Sequence, residues 1–272
     1  MRTASWRKAI RMGRSSWSPE GMSHREMVKE LQERAARALP AEHVEIVDGW
    51  WLRHAPGCAW WTGTVLPHGD APPDELLRRI VVAEDFHAGR GTTARFQISP
   101  PACSEALDSL LAERGYRSHD SISIQVASAA DVCEHSPAGS LRVRNDDRPT
   151  QAWFDLWHSV NDHGDPRPQW EMLLRADLPS LYAYATIGED AVAVGRAVAD
   201  SGWVGVFNMA TSPGARGKGA APAVLAELAG WSRAHGAERM YLQVESENAS
   251  ALRLLERSGF AELSVFHYRS SE

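Results

Sequence analysis

The chain has 272 residues, 43% of them apolar and 24% charged, with a formal net charge of −6 at pH 7. That length suits one large domain or two small ones, and that composition is ordinary for a globular protein. The negative balance argues against a nucleic-acid partner, which needs a basic face, and no apolar run is long enough to span a membrane.

Residues 1–21 are basic (Arg2, Arg7, Lys8, Arg11, Arg14) and lack the apolar core of a secretion signal, so they read as a disordered arm ahead of Met22. A charged helix is expected over 23–39, ended by Pro40, followed by alternating strands over 44–54 and 59–66. Next come a helix over 72–87 with Pro73 in its first turn, a strand over 93–99, a helix over 104–114 and a strand over 121–127. The Ser/Pro/Ala/Gly-rich stretch 129–140 reads as a linker, which divides the chain into 22–130, a linker at 131–140, and 141–272. The doublets Trp50-Trp51 and Trp60-Trp61 read as core or interface packing rather than ligand contacts.

The second half restarts with a strand over 141–146 and a helix over 150–160 whose apolar stripe is Trp153, Phe154 and Trp157. A polar loop over 161–168 and a short helix over 170–175 lead to strands at 181–187, 191–198 and 203–209. A long helix over 222–235 ends at Gly236, placed as its C′ residue, and a strand follows over 240–245. Cys58, Cys103 and Cys133 lack Cys-x-x-Cys spacing and read as reduced thiols of a cytoplasmic protein, with no metal expected.

Between the strand ending near Met209 and the helix at Pro222 runs Ala210-Thr211-Ser-Pro-Gly-Ala-Arg216-Gly217-Lys218-Gly219-Ala220-Ala221. Small residues entering a helix let the backbone approach an anion and aim the uncovered N–H groups of the first turn at it. Neither a P-loop nor a Gly-x-Gly-x-x-Gly fingerprint is present. The pattern Arg216-x-x-Gly219-x-Ala221 resembles the pyrophosphate loop of GNAT-superfamily N-acetyltransferases, and downstream Asn248-x-x-Ala251-x-x-Leu254-Leu255-x-x-x-Gly259-Phe260 resembles their second signature. The two motifs stand in the right order, one helix apart.

The resemblance covers roughly 141–272 and implies an α/β GNAT fold, a mixed sheet flanked by helices. It also implies acetyl-CoA as co-substrate and transfer of an acetyl group to an amine by direct attack in a ternary complex. Carried onto this chain, it assigns the pyrophosphate to Arg216, Gly217, Lys218, Gly219, Ala220 and Ala221. The pantetheine arm falls to Met209, Ala210, Thr211, Asn248 and Ala251, and polarisation of the thioester carbonyl to the Met209 N–H. The chain departs from the family in two places. Leu255 stands where relatives often carry a Tyr acid, and the strand 203–207 has no carboxylate. Protonation of the leaving thiolate then falls to water or Tyr268, and deprotonation of the amine to a water held by Glu245, with His267 a further candidate. His158, Asp162, His163 and Asp165 are candidates for acceptor binding; with Glu171 and Asp177 they suit a cation, or simply a solvated face.

A weak repeat links the halves. Phe96-Gln97-Ile98 with Leu110-Leu111 and Gly115-Tyr116 echoes Leu242-Gln243-Val244 with Leu254-Leu255 and Gly259-Phe260. The first half thus reads as a degenerate GNAT-like copy without a phosphate loop, giving tandem GNAT-like domains. The expected acceptor is a small-molecule amine; a peptide α-amine and a non-catalytic acyl-CoA-binding scaffold are the alternatives. A monomer or homodimer is expected, without nucleic acid or membrane.

Overall fold

Helix α1 (His24–Ala38) begins at a capping box in which the Ser23 hydroxyl accepts from the Glu26 N–H and the Glu26 carboxylate accepts from the Ser23 N–H. It opens the described part of a computed structural model, which covers residues 21–136, 141–161 and 164–271. The expected arm, apart from Gly21, lies outside the described residues, as do residues 137–140 of the linker.

The segment expected as one strand over 44–54 is a hairpin, β1 (His43–Val47) and β2 (Trp50–His54). Asp48 and Gly49 have φ of 50° and 84°, the Asp-Gly turn that folds two strands back on each other. The expected strand over 59–66 is mostly a 3₁₀ turn (Trp60–Gly63), with only Val65 and Leu66 bridged to neighbouring strands. Then follow α2 (Pro73–Ala88), β3 (Arg95–Ile98), α3 (Glu105–Glu113) and β4 (Arg117–Ser128). The first part of the expected linker is helix α4 (Ala129–His135), because the Ser128 hydroxyl caps it and Ala129 and Val132 are fully buried.

The second half comprises β5 (Arg142–Asp146), α5 (Gln151–Asn161), α6 (Pro166–Arg175), β6 (Ser180–Ile187), β7 (Asp190–Asp200) and β8 (Trp203–Thr211). It continues through α7 (Ala220–Ala234), β9 (Arg239–Glu245), α8 (Ala249–Arg257) and β10 (Ala261–Ser270). Helix α6 starts four residues before the expected Trp170, since the Asp165 side chain caps it and Pro166 and Pro168 are tolerated in its first turn.

The described strands outside the hairpin form one sheet of order β3-β10-β4-β9-β8-β7-β6-β5. The halves are interleaved. Strand β4 of the first half lies between β9 and β10 of the second, and β10 lies between β3 and β4 of the first. The repeat noticed in the sequence is therefore a reciprocal exchange of one strand, which merges the two expected sheets into one. Asp108 on α3 clasps the guanidinium of Arg269 on β10 with both oxygens (2.7 and 3.0 Å) and pairs with His267 at 2.8 Å, fastening the exchange.

Helix α7 packs on one face of the sheet over Ala185, Ala193, Val204 and Met240. Helices α5 and α6 cover the other face with Trp153, Phe154, Trp157 and Met172 against Tyr182 and Val194, and the Trp153 indole N–H donates to the Ala183 carbonyl. A separate core under α2 and α3 holds Trp50, Phe96 and Tyr116. Cys103 is buried with its thiol pushed up to about 12 by desolvation, the behaviour of a packed, reduced side chain. Among the described residues no helix is long and apolar enough to cross a membrane.

Candidate active site

Strands β8 and β9 are parallel but pair only over Trp203–Arg239, Val204–Met240 and Gly205–Tyr241. Beyond Gly205 they part, although β8 runs on to Thr211 and β9 to Glu245. Two local features drive the parting. Gly205 lies against the rings of Phe207 and Tyr241, where a Cβ would collide with both. On the other side β8 bulges, because Val194 pairs with Ala210 and Arg196 with Phe207, so Asn208 and Met209 oppose Gly195 alone. Asn208 carries the bulge with φ of 52°.

The opening is a cavity of about 480 Å³. The second half lines it with Phe207, Asn208 and Met209 on β8, residues 242–245 on β9, and Ala251 and Leu255 on α8 with its cap Asn248. The wall is completed from both halves. Leu39, Trp60, Trp61 and Asp120 come from the first; Trp157, Asn161, Gln169, Met172 and Tyr268 come from the second. Leu39 is held there because two buried arginines cover the end of α1: Arg196 donates to the Ala38 carbonyl (3.0 Å) and Arg53 to the Leu39 carbonyl (3.1 Å). Burial lowers both guanidinium pKa values, that of Arg53 to about 10.

Next after β8 comes the loop assigned to the phosphates. Gly217 and Gly219 have φ of 76° and 82°, and a Cβ on either would point into open space. Gly219 is the N-cap of α7, and the first helical hydrogen bond runs from Ala223 N–H to the Gly219 carbonyl. The N–H groups of Ala220 and Ala221 therefore have no partner within the helix, and Pro222 has none to offer. Arg216 and Lys218 are exposed beside them.

Of the residues expected in catalysis, Glu245, Tyr268 and Met209 all line the cavity, as do Asn248 and Ala251. Asn248 also caps α8, its side chain accepting from the Ala251 N–H at 3.0 Å. Burial raises the Tyr268 phenol well above its ordinary value, with Arg53 opposing, so it stays protonated at neutral pH. Leu255 lines the cavity as an apolar side chain.

The acceptor candidates fare differently. Asp162 and His163 lie outside the described residues. His158 bonds the Gly164 carbonyl at 3.0 Å, and Asp165 caps α6 and pairs with Arg167 at 2.7 Å; neither lines the cavity, so both serve the loop itself. His267 is taken by Asp108. Trp60 and Trp61 pack against the core around Ile124, Tyr241 and Phe266, as expected, and also form cavity wall, with Trp60 edge-on to Tyr268 at 4.6 Å. Asp120 and Gln169 were missed. Asp120 carried a signal in hindsight, a polar residue breaking the approach to an apolar strand, whereas Gln169 carried none.

Comparison with known proteins agrees with this geometry. The chain belongs to the GNAT N-acetyltransferases, in the family described as "Probable histone acetyltransferase Rv0428c C-terminal", which matches residues 26–269. It is similar to the "Uncharacterized N-acetyltransferase YobR" of Bacillus subtilis (strain 168), 26% identical over 250 residues, covering 89% of this chain and 98% of that one. It is also 27% identical to the "Mycothiol acetyltransferase" of Beutenbergia cavernae, over 77% of this chain but 65% of the relative's length. In fold it resembles a GCN5-related N-acetyltransferase from Kribbella flavida (TM-score 0.68, 13% identity, 92% of this chain and 96% of that one). A tandem GNAT protein of the clavulanic acid biosynthesis pathway aligns over 99% of this chain and 95% of its own at TM-score 0.62 and 10% identity. The protein is thus an acyltransferase enzyme with a tandem GNAT architecture.

Proposed function

We propose that the protein transfers an acetyl group from acetyl-CoA to the primary amine of a small molecule by direct attack in a ternary complex. The observation that carries this reading is the parting of β8 from β9, which opens a chamber lined by both halves, with β8 leading on into the loop that enters α7. The loop residues suit the cofactor: glycines with open space above them and orphan N–H donors at a helix N-terminus match a bulky diphosphate.

Bound acetyl-CoA supplies a thioester whose acyl carbon the amine attacks. Residues 216–221 would hold its pyrophosphate, with Arg216 and Lys218 as counter-charges. Met209, Ala210 and Thr211 would pair with the pantetheine arm as an added strand, flanked by Asn248 and Ala251. The Met209 N–H, at the bulge of β8, would stabilise the developing oxyanion. Glu245 would order the water that takes the amine proton, and the protonated Tyr268 would return a proton to the leaving thiolate. Leu255 lends that position no proton.

The test is to follow thiol release and acetylated product together across a panel of amines, with a protein digest as a further acceptor. Product on small amines supports the reading. Product only on peptide α-amines would move the substrate to a protein, and CoA binding without any product would overturn the reading.

A further inference from the structure

The cavity bears one kind of charge. Among the described lining residues only Asp120 and Glu245 are charged; every other described lining side chain is neutral. Arg53 and Arg95 stand behind this wall, one bonded to the Leu39 carbonyl and one 5.5 Å from the Trp60 ring centre, and neither lines it.

Asp120 is placed there by a second bulge. On β4 and β10, Ile122 pairs with Phe266 and His119 with Tyr268, so Asp120 and Ser121 together oppose His267. Asp120 takes φ of 47°, a conformation costly for most side chains and tolerated best by Asp and Asn. Its Oδ2 lies 3.0 Å from His119 Nδ1, and the His119 ring leans on Trp60 and Tyr268, while the carboxylate itself stays half-exposed.

Gln169 supplies an independent observation. It is 1% exposed, lines the cavity from α6, and neither its amide oxygen nor its amide nitrogen has a partner among the described residues. Buried amides are almost always paired, and leaving both atoms unmet is unfavourable. A ligand group that both donates and accepts would complete it. Trp60, Trp61 and Trp157 offer ring faces and edges for an apolar body and for a cation.

Resting on the acyl-transfer reading above, we propose that the acceptor is a cationic amine without a carboxylate. Asp120 holds its ammonium group, and Gln169 pairs with an amide or hydroxyl on its body. A free amino acid would bring its carboxylate beside Asp120 and Glu245 with no cation among the described lining residues to receive it.

The experiment uses pairs of amines that differ by a carboxylate: tryptamine and tryptophan, tyramine and tyrosine, with tryptophanamide as the amide-bearing member. Equilibrium binding to the CoA-loaded protein is measured by calorimetry, beside kcat/KM. The carboxylate-free members should bind and react at least ~10-fold better, the size of one well-placed charge interaction. Asp120→Asn keeps a side chain that tolerates the bulge and should erase that preference. Gln169→Leu should weaken tryptophanamide while leaving tryptamine nearly unchanged. The thermal shift produced by CoA is the control. Its absence in the wild type would defeat the acyl-transfer reading. With the shift present, equal binding of the carboxylates, binding of no amine in the series, or undiminished discrimination in Asp120→Asn would overturn this proposal alone.

Discussion

In the second half of the chain the parallel ladder stops at Gly205 and Tyr241, and α7 begins with uncovered N–H groups. The corresponding place in the first half is zipped. Val65 is bridged to Phe96, the parallel contact resumes at Gly69 and Cys103, and the Gly69 N–H donates to the Ala102 carbonyl at 3.0 Å. Helix α2 then starts at Pro73 behind Pro72, two residues with no N–H to offer. One strand–loop–helix unit thus leaves its donors free and its strands apart, while the other spends them internally. A slot of this kind is made by hydrogen bonds that do not form. A few residues at the helix entrance are enough to keep or remove it without altering the surrounding fold.

The largest expected effect tests that contrast directly. CoA at a thousandfold excess over its Kd should stabilise the protein by ~4.1 kcal/mol, and calorimetric titration should give one CoA per chain. Gly219→Glu sets a negative side chain against the pyrophosphate and should abolish the thermal shift. Gly219→Ala should show only the backbone cost of a side chain at positive φ, ~1–2 kcal/mol, because its Cβ meets open space. A full shift in Gly219→Glu, or a second CoA near Gly69, would break the comparison.

The halves should also answer differently to acid. Among the described residues the buried histidines, His54, His68 and His87, all belong to the first half. Burial lowers the pKa of each, that of His87 to about 4. The unfolded chain takes up these protons below pH ~6.5 while the folded one does not. Stability is therefore complete above that value and lost as the pH falls toward 4, by of order 3 kcal/mol for His87. Denaturant unfolding at pH 7 and pH 4.5 should show the loss, and His87→Asn should shrink it. Hydrogen exchange at pH 4.5 should open α2 before α7, and the reverse order would count against the assignment.

Smaller effects sharpen the chemistry at the open unit. Tyr268→Phe removes one hydroxyl from a buried ring, so kcat should fall by ~10-fold or more with the KM for acetyl-CoA unchanged, the mark of a contact made only in the transition state. Glu245→Gln should move the acidic limb of the pH–rate profile while sparing CoA binding. Wild-type rates in both, with an unmoved profile, would leave proximity and the Met209 N–H as the sources of catalysis.

Much of this was legible in the residues because it is local. The Gly217–Gly219 entry, the Asn248 cap and the apolar stripe Trp153, Phe154 and Trp157 each depend on neighbours within a turn or two, and each appears where the pattern placed it. The hairpin at Asp48-Gly49 was equally local and was overlooked, its turn signal masked by continuous apolar alternation. The supposed linker became α4 because burial against α7, a distant segment, overrode its loop-like composition.

The sequence by itself determined the acyltransferase family, the glycine-rich entry to α7 and the leucine at 255 where relatives often carry a tyrosine, since each is a short run of residues whose spacing carries the signal. Only the tertiary structure decided that β4 and β10 exchange places, and that Asp120, Trp60 and Gln169 line one cavity with Met209. Strand exchange pairs residues such as Ser123 and Val244, more than a hundred positions apart. Such contacts are selected by the burial of whole faces, which no local pattern encodes.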